Sequence, residues 1–165
     1  MKNWRESVIF DFIDVEKTDH AFQVILLAAN ALGFEFCTYG FSVPSKNGSP
    51  IIGALTNYPD AWERRYNEMG YLHSDPVVLH GYQSQTPFLW TNKAFSATPQ
   101  LWDEAKSFGL RTGWSLSRRD KYGAFGLLGI ARSTEIITKK ELKEKENKLY
   151  WLTEVMHSSF INLLN

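Results

Sequence analysis

Only one cysteine, Cys37, occurs in the 165 residues. No disulfide can form within the chain, which excludes a stapled extracellular scaffold. Net charge is also missing: eighteen Lys and Arg balance eighteen Asp and Glu, so the chain has no basic footprint for gripping a phosphate backbone. No apolar run approaches the roughly eighteen residues of a membrane span. No basic stretch leads into an apolar segment at the start, no segment repeats, and no tract is of low complexity. Together these absences point to a cytoplasmic protein that contacts no membrane and, by itself, no nucleic acid. The length suits one domain with a core of its own.

What the chain has in excess is aromatic residues: 6 Trp, 7 Tyr and 11 Phe. The usual catalytic signatures do not account for them. Gly113-Trp114-Ser115-Leu116-Ser117 lacks the second glycine of a nucleophile elbow, and no helix pattern follows it. Gly123, Gly126 and Gly129 fall in an extended run, not at the strand-to-helix turn that cradles phosphate. His73 and His80 have no Cys or carboxylate at ligand spacing, so neither a metal nor any other cofactor is expected. Cys37 reads as a small buried hydrophobe. An enzyme is therefore not expected.

Apolar periodicity predicts helices over residues 3–14 and 19–32, the second capped by Thr18 and ended by Gly33. A hairpin follows, 34–43 with 50–57. Prolines at a first helical position mark three further helix starts, Tyr58-Pro59, Asp75-Pro76 and Thr98-Pro99, with Asp75 and Thr98 as caps. PFLW (87–90) is short and extended, and Gly109 closes the third of these helices. A second hairpin turns at 119–121, and Thr138 with Glu141 forms a capping box launching a helix to about residue 163. The order is that of an α+β domain whose mostly antiparallel sheet is covered by helices.

Residues 58–76 concentrate the chemistry. Tyr58, Trp62 and Tyr66 recur at i, i+4 and i+8, so one helical face offers two hydroxyls and an indole N–H. Such a stripe can simply pack a core, or it can face a polar, uncharged guest that satisfies the tips. Asp75 adds an acceptor, or serves only as a helix cap. Trp90, Leu101, Trp102, Phe108, Leu110 and Trp114 supply apolar bulk. Ala124, Gly126 and Gly129 leave space beside it, as a small-molecule pocket requires.

With these motifs in view, the chain resembles the autoinducer-binding domain of LuxR-type quorum-sensing transcription regulators. The likeness runs from GFEF through NYPDAWERRY, YLHSDPVV, PFLW and LWDEAKSFGLRTGWS to the terminal helix, and its specific positions are Trp62, Tyr66, Asp75, Pro76, Trp90 and Gly113. The resemblance implies an α-β-α sandwich, a central antiparallel sheet with helices on both faces. It also implies an enclosed N-acyl-homoserine lactone of medium to long chain. In that frame Trp62 donates to the lactone carbonyl, Tyr58 donates to the amide carbonyl, and Asp75 accepts the amide N–H. Tyr66 and Trp90 wall the head group, and Thr38, Val77, Leu101, Trp102, Phe108, Leu110, Ser115, Leu127 and Gly129 complete the site.

Many relatives carry a Ser or Thr near the position of Gly129; Thr38 or Ser115 is available in its place. The family's helix-turn-helix DNA-binding domain is absent from residues 1–165. The chain therefore reads as the ligand-binding domain of a longer regulator, which reaches DNA only through that further domain. The alternatives are a truncated anti-activator, a receptor for a different small signal, and a lactone-processing enzyme. On the last helix Leu142, Leu149, Met156 and Leu163 recur every seven residues beside Leu152 and Phe160. That stripe packs on the domain's own sheet, with any remainder available for a homodimer.

Overall fold

The computed structural model describes residues 3–164. Two N-terminal helices, α1 (Trp4–Asp11) and α2 (Thr18–Ala31), lead into the hairpin β1 (Phe36–Val43) and β2 (Ile51–Thr56). Next come α3 (Asp60–Glu68), a 3-10 turn (Tyr71–His73), α4 (Pro76–Gln83), the short strand β3 (Phe88–Trp90) and α5 (Pro99–Ser107). The hairpin β4 (Thr112–Arg119) and β5 (Phe125–Arg132) and the long helix α6 (Lys139–Leu164) complete the chain.

The strands form one sheet in the order β2-β1-β5-β4-β3, and every pairing is antiparallel. Alternation along the strands divides its side chains between two layers. On one face Cys37, Tyr39, Trp114, Leu116, Leu128 and Ile130 pack with α1, α2 and α6. On the other, Phe125, Leu127 and Ala131 meet residues of α3, α4 and α5. This is the α-β-α sandwich, an α+β fold. No helix is long and apolar enough to cross a membrane among the described residues.

Helix starts obey local rules, with exceptions. Asn3 and Glu6 form a reciprocal capping box at α1. The Asp75 carboxylate caps α4, and Pro76 and Pro99 occupy first-turn positions where a missing N–H costs nothing. Thr18, expected as a cap, is instead the first residue of α2, behind Lys17. Pro59 stands one residue outside α3, at its cap position. Thr98 occupies its cap position without a side-chain cap bond, its hydroxyl lying 3.5 Å from the Phe95 carbonyl. The box at α6 is half formed: Thr138 accepts the Glu141 N–H at 3.1 Å, while the Glu141 carboxylate binds Arg132 and Lys145. Two charge-assisted partners outcompete one backbone amide.

On α6, Leu149, Leu152 and Met156 are wholly buried and Phe160 nearly so. Leu142 and Leu163 pack partly against the same layer, so the heptad stripe is taken up by the domain's own sheet. Cys37 is buried and unpaired, as expected of a small hydrophobe.

Candidate functional site

The second layer is hollow. A cavity of about 480 Å³ lies between the sheet and helices α3, α4 and α5, within the size range of small-molecule sites. Its floor is the face of β2, β1 and β5 carrying Thr38, Gly40, Ala54, Thr56, Leu127 and Gly129. Every residue expected to touch the ligand lines this cavity except Phe108 and Ser115; Trp114, Ala124 and Gly126, expected to supply bulk and space beside it, do not line it, and Trp114 and Gly126 face α6 instead. Phe108 follows α5 and sits behind Trp62, ring centroids 5.5 Å apart. Ser115 is buried beyond Trp90, whose indole N–H donates to its Oγ at 3.3 Å. Of the two hydroxyl-bearing residues that flank Gly129 in register, only Thr38 lines the cavity, its own hydroxyl donating to the Leu55 carbonyl at 3.4 Å.

At one end stands a polar frame. Tyr58 follows Asn57, whose side chain bridges the Cys37 N–H (2.7 Å) and the Glu35 carbonyl (2.8 Å). The Tyr58 N–H donates to Thr56 Oγ1 at 3.0 Å. Its hydroxyl is buried with no hydrogen-bond partner, a state that buried polar groups rarely tolerate. Burial, with Cys37 and Asp75 nearby, holds that phenol well above its ordinary pKa, so it is a neutral donor.

Asp75 uses its two oxygens differently. Oδ1 accepts the Val77 N–H at 2.9 Å and Oδ2 accepts the Tyr66 hydroxyl at 2.8 Å. Each oxygen keeps a free lone pair. Burial pushes this carboxyl up to about 6, against the lowering effect of Tyr66 and Val77. A desolvated carboxylate with spare acceptor capacity favours any donor that enters.

Three indoles border the cavity, and two have their N–H engaged. Trp90 donates to Ser115, and Trp102 donates to Asn92 Oδ1 at 2.8 Å while stacking on Phe95 at 4.3 Å. Trp62 meets its neighbours through its ring, against Tyr66, Tyr71 and Phe108. Gly113 lets Trp90 lie flat on the sheet, since a Cβ there would stand 2.3 Å from the ring.

The helix carrying Trp62 and Tyr66 is clamped from outside. Arg65 donates to the Glu104 carboxylate through Nε and Nη2, and the Tyr71 hydroxyl donates to the same carboxylate at 2.6 Å. Those bonds hold Glu104 down at about 2. They tie α3, the 3-10 turn and α5 into one wall.

Sequence reasoning missed the far end of the cavity, where Gly40, Ile52, Ala54, Tyr82 and Phe125 lie, and Phe95 beside Trp90 and Trp102. Tyr82 and Phe125 stack there at 4.4 Å. The spacing of Val78 and Tyr82 on α4 carried a signal, being i and i+4 on one face. Phe95 carried none, since it sits in the irregular segment between β3 and α5. Among the described residues no group of His, Cys, Asp and Glu could hold a metal ion.

Comparison with known proteins agrees with the geometry. Residues 17–160 match the family described as the autoinducer binding domain. The transcriptional activator AnoR of Acinetobacter nosocomialis is 38% identical over the whole of this chain, which spans 70% of AnoR. Among solved structures, the N-acylhomoserine lactone dependent LuxR family transcription factor CepR2 of Burkholderia cenocepacia superposes with a TM-score of 0.85. It is 26% identical over 98% of this chain and 96% of that one. SdiA in complex with octanoyl-rac-glycerol superposes at 0.81 with 26% identity, over all of this chain and 70% of that one.

Proposed function

This chain belongs to the autoinducer-binding domain family of LuxR-type quorum-sensing regulators, and from that premise we propose that its cavity encloses an N-acyl-homoserine lactone. The family is one of transcription regulators, so the ligand is captured and not turned over. The observation that carries the ligand class is the buried, unpartnered Tyr58 hydroxyl facing the same cavity as the buried Asp75 carboxylate. A secondary amide offers one carbonyl and one N–H on adjacent atoms, which matches one donor and one acceptor.

In this reading Tyr58 donates to the amide carbonyl, and Asp75 accepts the amide N–H on a free lone pair. Trp62, the one cavity indole that meets its neighbours only by ring contact, donates to the lactone carbonyl. Tyr66 holds Asp75 in place, and Trp90 and Trp102 wall the ring. The bond to a charged acceptor contributes about 1.5–3 kcal/mol, and each buried methylene of the tail about 0.8 kcal/mol. The polar frame therefore sets orientation and the tail sets affinity.

The cavity volume gives the scale of that tail. At about 30 Å³ per water-sized group, 480 Å³ holds at least about sixteen heavy atoms, because bonded atoms pack closer than waters. The lactone and amide account for roughly half, which leaves a tail of about eight carbons or more. Capture of the ligand then favours the folded domain and, in the whole regulator, its homodimerisation and DNA binding through a further domain.

A thermal scan with lactones of graded chain length tests the reading. At a hundredfold excess over Kd the folded state gains about 2.7 kcal/mol, a rise of roughly 5–10 °C for a domain this size. No rise with any lactone overturns it. The complex of SdiA with octanoyl-rac-glycerol favours a second reading, in which an acylglycerol hydroxyl meets Asp75. A rise with octanoyl glycerol and none with lactones selects that one.

A further inference from the structure

Five glycines lie within the strands, and four of them are explained by a side chain lying close over the missing Cβ. A Cβ at Gly53 would meet the Phe41 ring at 2.8 Å, one at Gly113 the Trp90 ring at 2.3 Å, and one at Gly126 the Tyr39 hydroxyl at 2.4 Å. At Gly129 it would stand 3.2 Å from Thr38 and 3.3 Å from the Tyr58 hydroxyl. Gly40 is different: nothing lies within 4 Å of where its Cβ would be. Its φ is not positive either, so the backbone does not require glycine.

A glycine inside a strand weakens the strand. At Gly40 neither backbone geometry nor packing offers a compensating reason. The open space above it is the cavity, which Gly40 lines together with its register neighbours Leu127 and Ala54. Thr38, at the level of Tyr58 and Gly129, is two residues away along β1, a distance of about 7 Å. That is about five or six carbon–carbon bonds of an extended tail.

We infer that Gly40 sets the acyl-chain length the cavity accepts: by leaving the floor empty it admits tail carbons beyond about the sixth. The inference rests on the lactone reading. It concerns discrimination between tails and not capture of the head group.

Affinities of the wild type and of Gly40→Ala and Gly40→Val for butanoyl, hexanoyl, octanoyl, decanoyl and dodecanoyl homoserine lactones test it. In the wild type affinity climbs about fourfold per methylene until the tail fills the cavity. Gly40→Val ends the climb about two carbons earlier, lowering the decanoyl-to-hexanoyl affinity ratio by about tenfold or more. Gly40→Ala falls between. The ligand-free variants melt no lower than the wild type, because both residues suit a strand better than glycine does.

An unchanged ratio in both variants, or an equal loss at every chain length, overturns the role of Gly40 while leaving the lactone reading intact. If the wild type binds no lactone, the same ratio is read with hexanoyl and decanoyl glycerol. Binding of neither series overturns both claims.

Discussion

The two faces of one sheet are built to opposite ends. Toward α6 the strands offer Tyr39, Trp114, Leu116, Leu128 and Ile130, which are buried against side chains of α1, α2 and α6. Toward α3, α4 and α5 the same strands offer Thr38, Gly40, Leu127 and Gly129 over a cavity of about 480 Å³. The first face is packed by its own side chains, although the Trp114 indole N–H and His157 Nε2 within it have no hydrogen-bond partner. The second leaves a phenol unpartnered and a carboxylate desolvated, so part of its stabilisation is deferred until something binds. Alternate residues along β1 and β5 serve these two ends, which is why a substitution one position away can act in the opposite sense.

The largest test of that contrast is Leu152→Ala on the filled face. It removes a wholly buried side chain and lowers stability by about 2–5 kcal/mol. Denaturant titration should give the same loss with and without ligand, and a loss that ligand reverses would show that the two faces are not separate.

Asp75→Asn comes next, on the hollow face. Asn still caps α4, but a neutral acceptor replaces a charged one and lactone affinity falls by about 1.5–3 kcal/mol. Its pH dependence has a definite sign. The native carboxyl at about 6 lies above the ordinary 3.8. Its contribution to the stability of the ligand-free domain is full below about pH 4 and is lost as pH rises through about 6, on the order of 2–3 kcal/mol. Ligand binding runs the other way, strengthening as pH rises through 6 because the amide N–H favours the ionised acid. Titration calorimetry between pH 5 and 8 reads this trend, and the Asn variant should flatten it.

Tyr58→Phe is smaller and splits by state. Removing an unpartnered buried hydroxyl relieves the empty domain by about 1 kcal/mol, and the ligand complex loses about as much. Melting temperatures with and without lactone should move apart in that pattern; equal shifts would mean the hydroxyl has another partner. Least of all, Glu154→Ala breaks the exposed pair with Arg118 on the α6 side, and stability should change by less than about 0.5 kcal/mol.

How much of this was legible before the structure depended on whether a signal was local. Pro76, Pro99 and Gly109 marked helix boundaries because each acts through its own backbone; Gly109 indeed sits at φ +95°. Alternation marked β1, and two extended runs around a polar turn marked β4 and β5. The Asp75 cap was readable from its neighbour alone. The half-formed box at Glu141 was not, because its competitor Arg132, nine residues back at the end of β5, meets it only once strand and helix are packed together. Phe108 and Ser115 lie behind Trp62 and Trp90, the aromatics that line the cavity, and no local feature of the sequence says which member of each pair faces inward. Gly40 gave no sign at all: emptiness belongs to the assembled layers, and no window of sequence contains it.

Helix α4 is fastened at both ends. Its first turn hangs on the Asp75 carboxylate, and the carbonyls of Gly81 in its last turn and of Ser84 just beyond it face the Ser117 hydroxyl of β4 at 2.8 and 2.9 Å. A segment held this way does not fray from its tips, so its amides should open together in one cooperative step. Hydrogen exchange across Val77–Gln83 then becomes a gauge of occupancy, because whatever tightens the hold of Asp75 slows exchange along the whole helix.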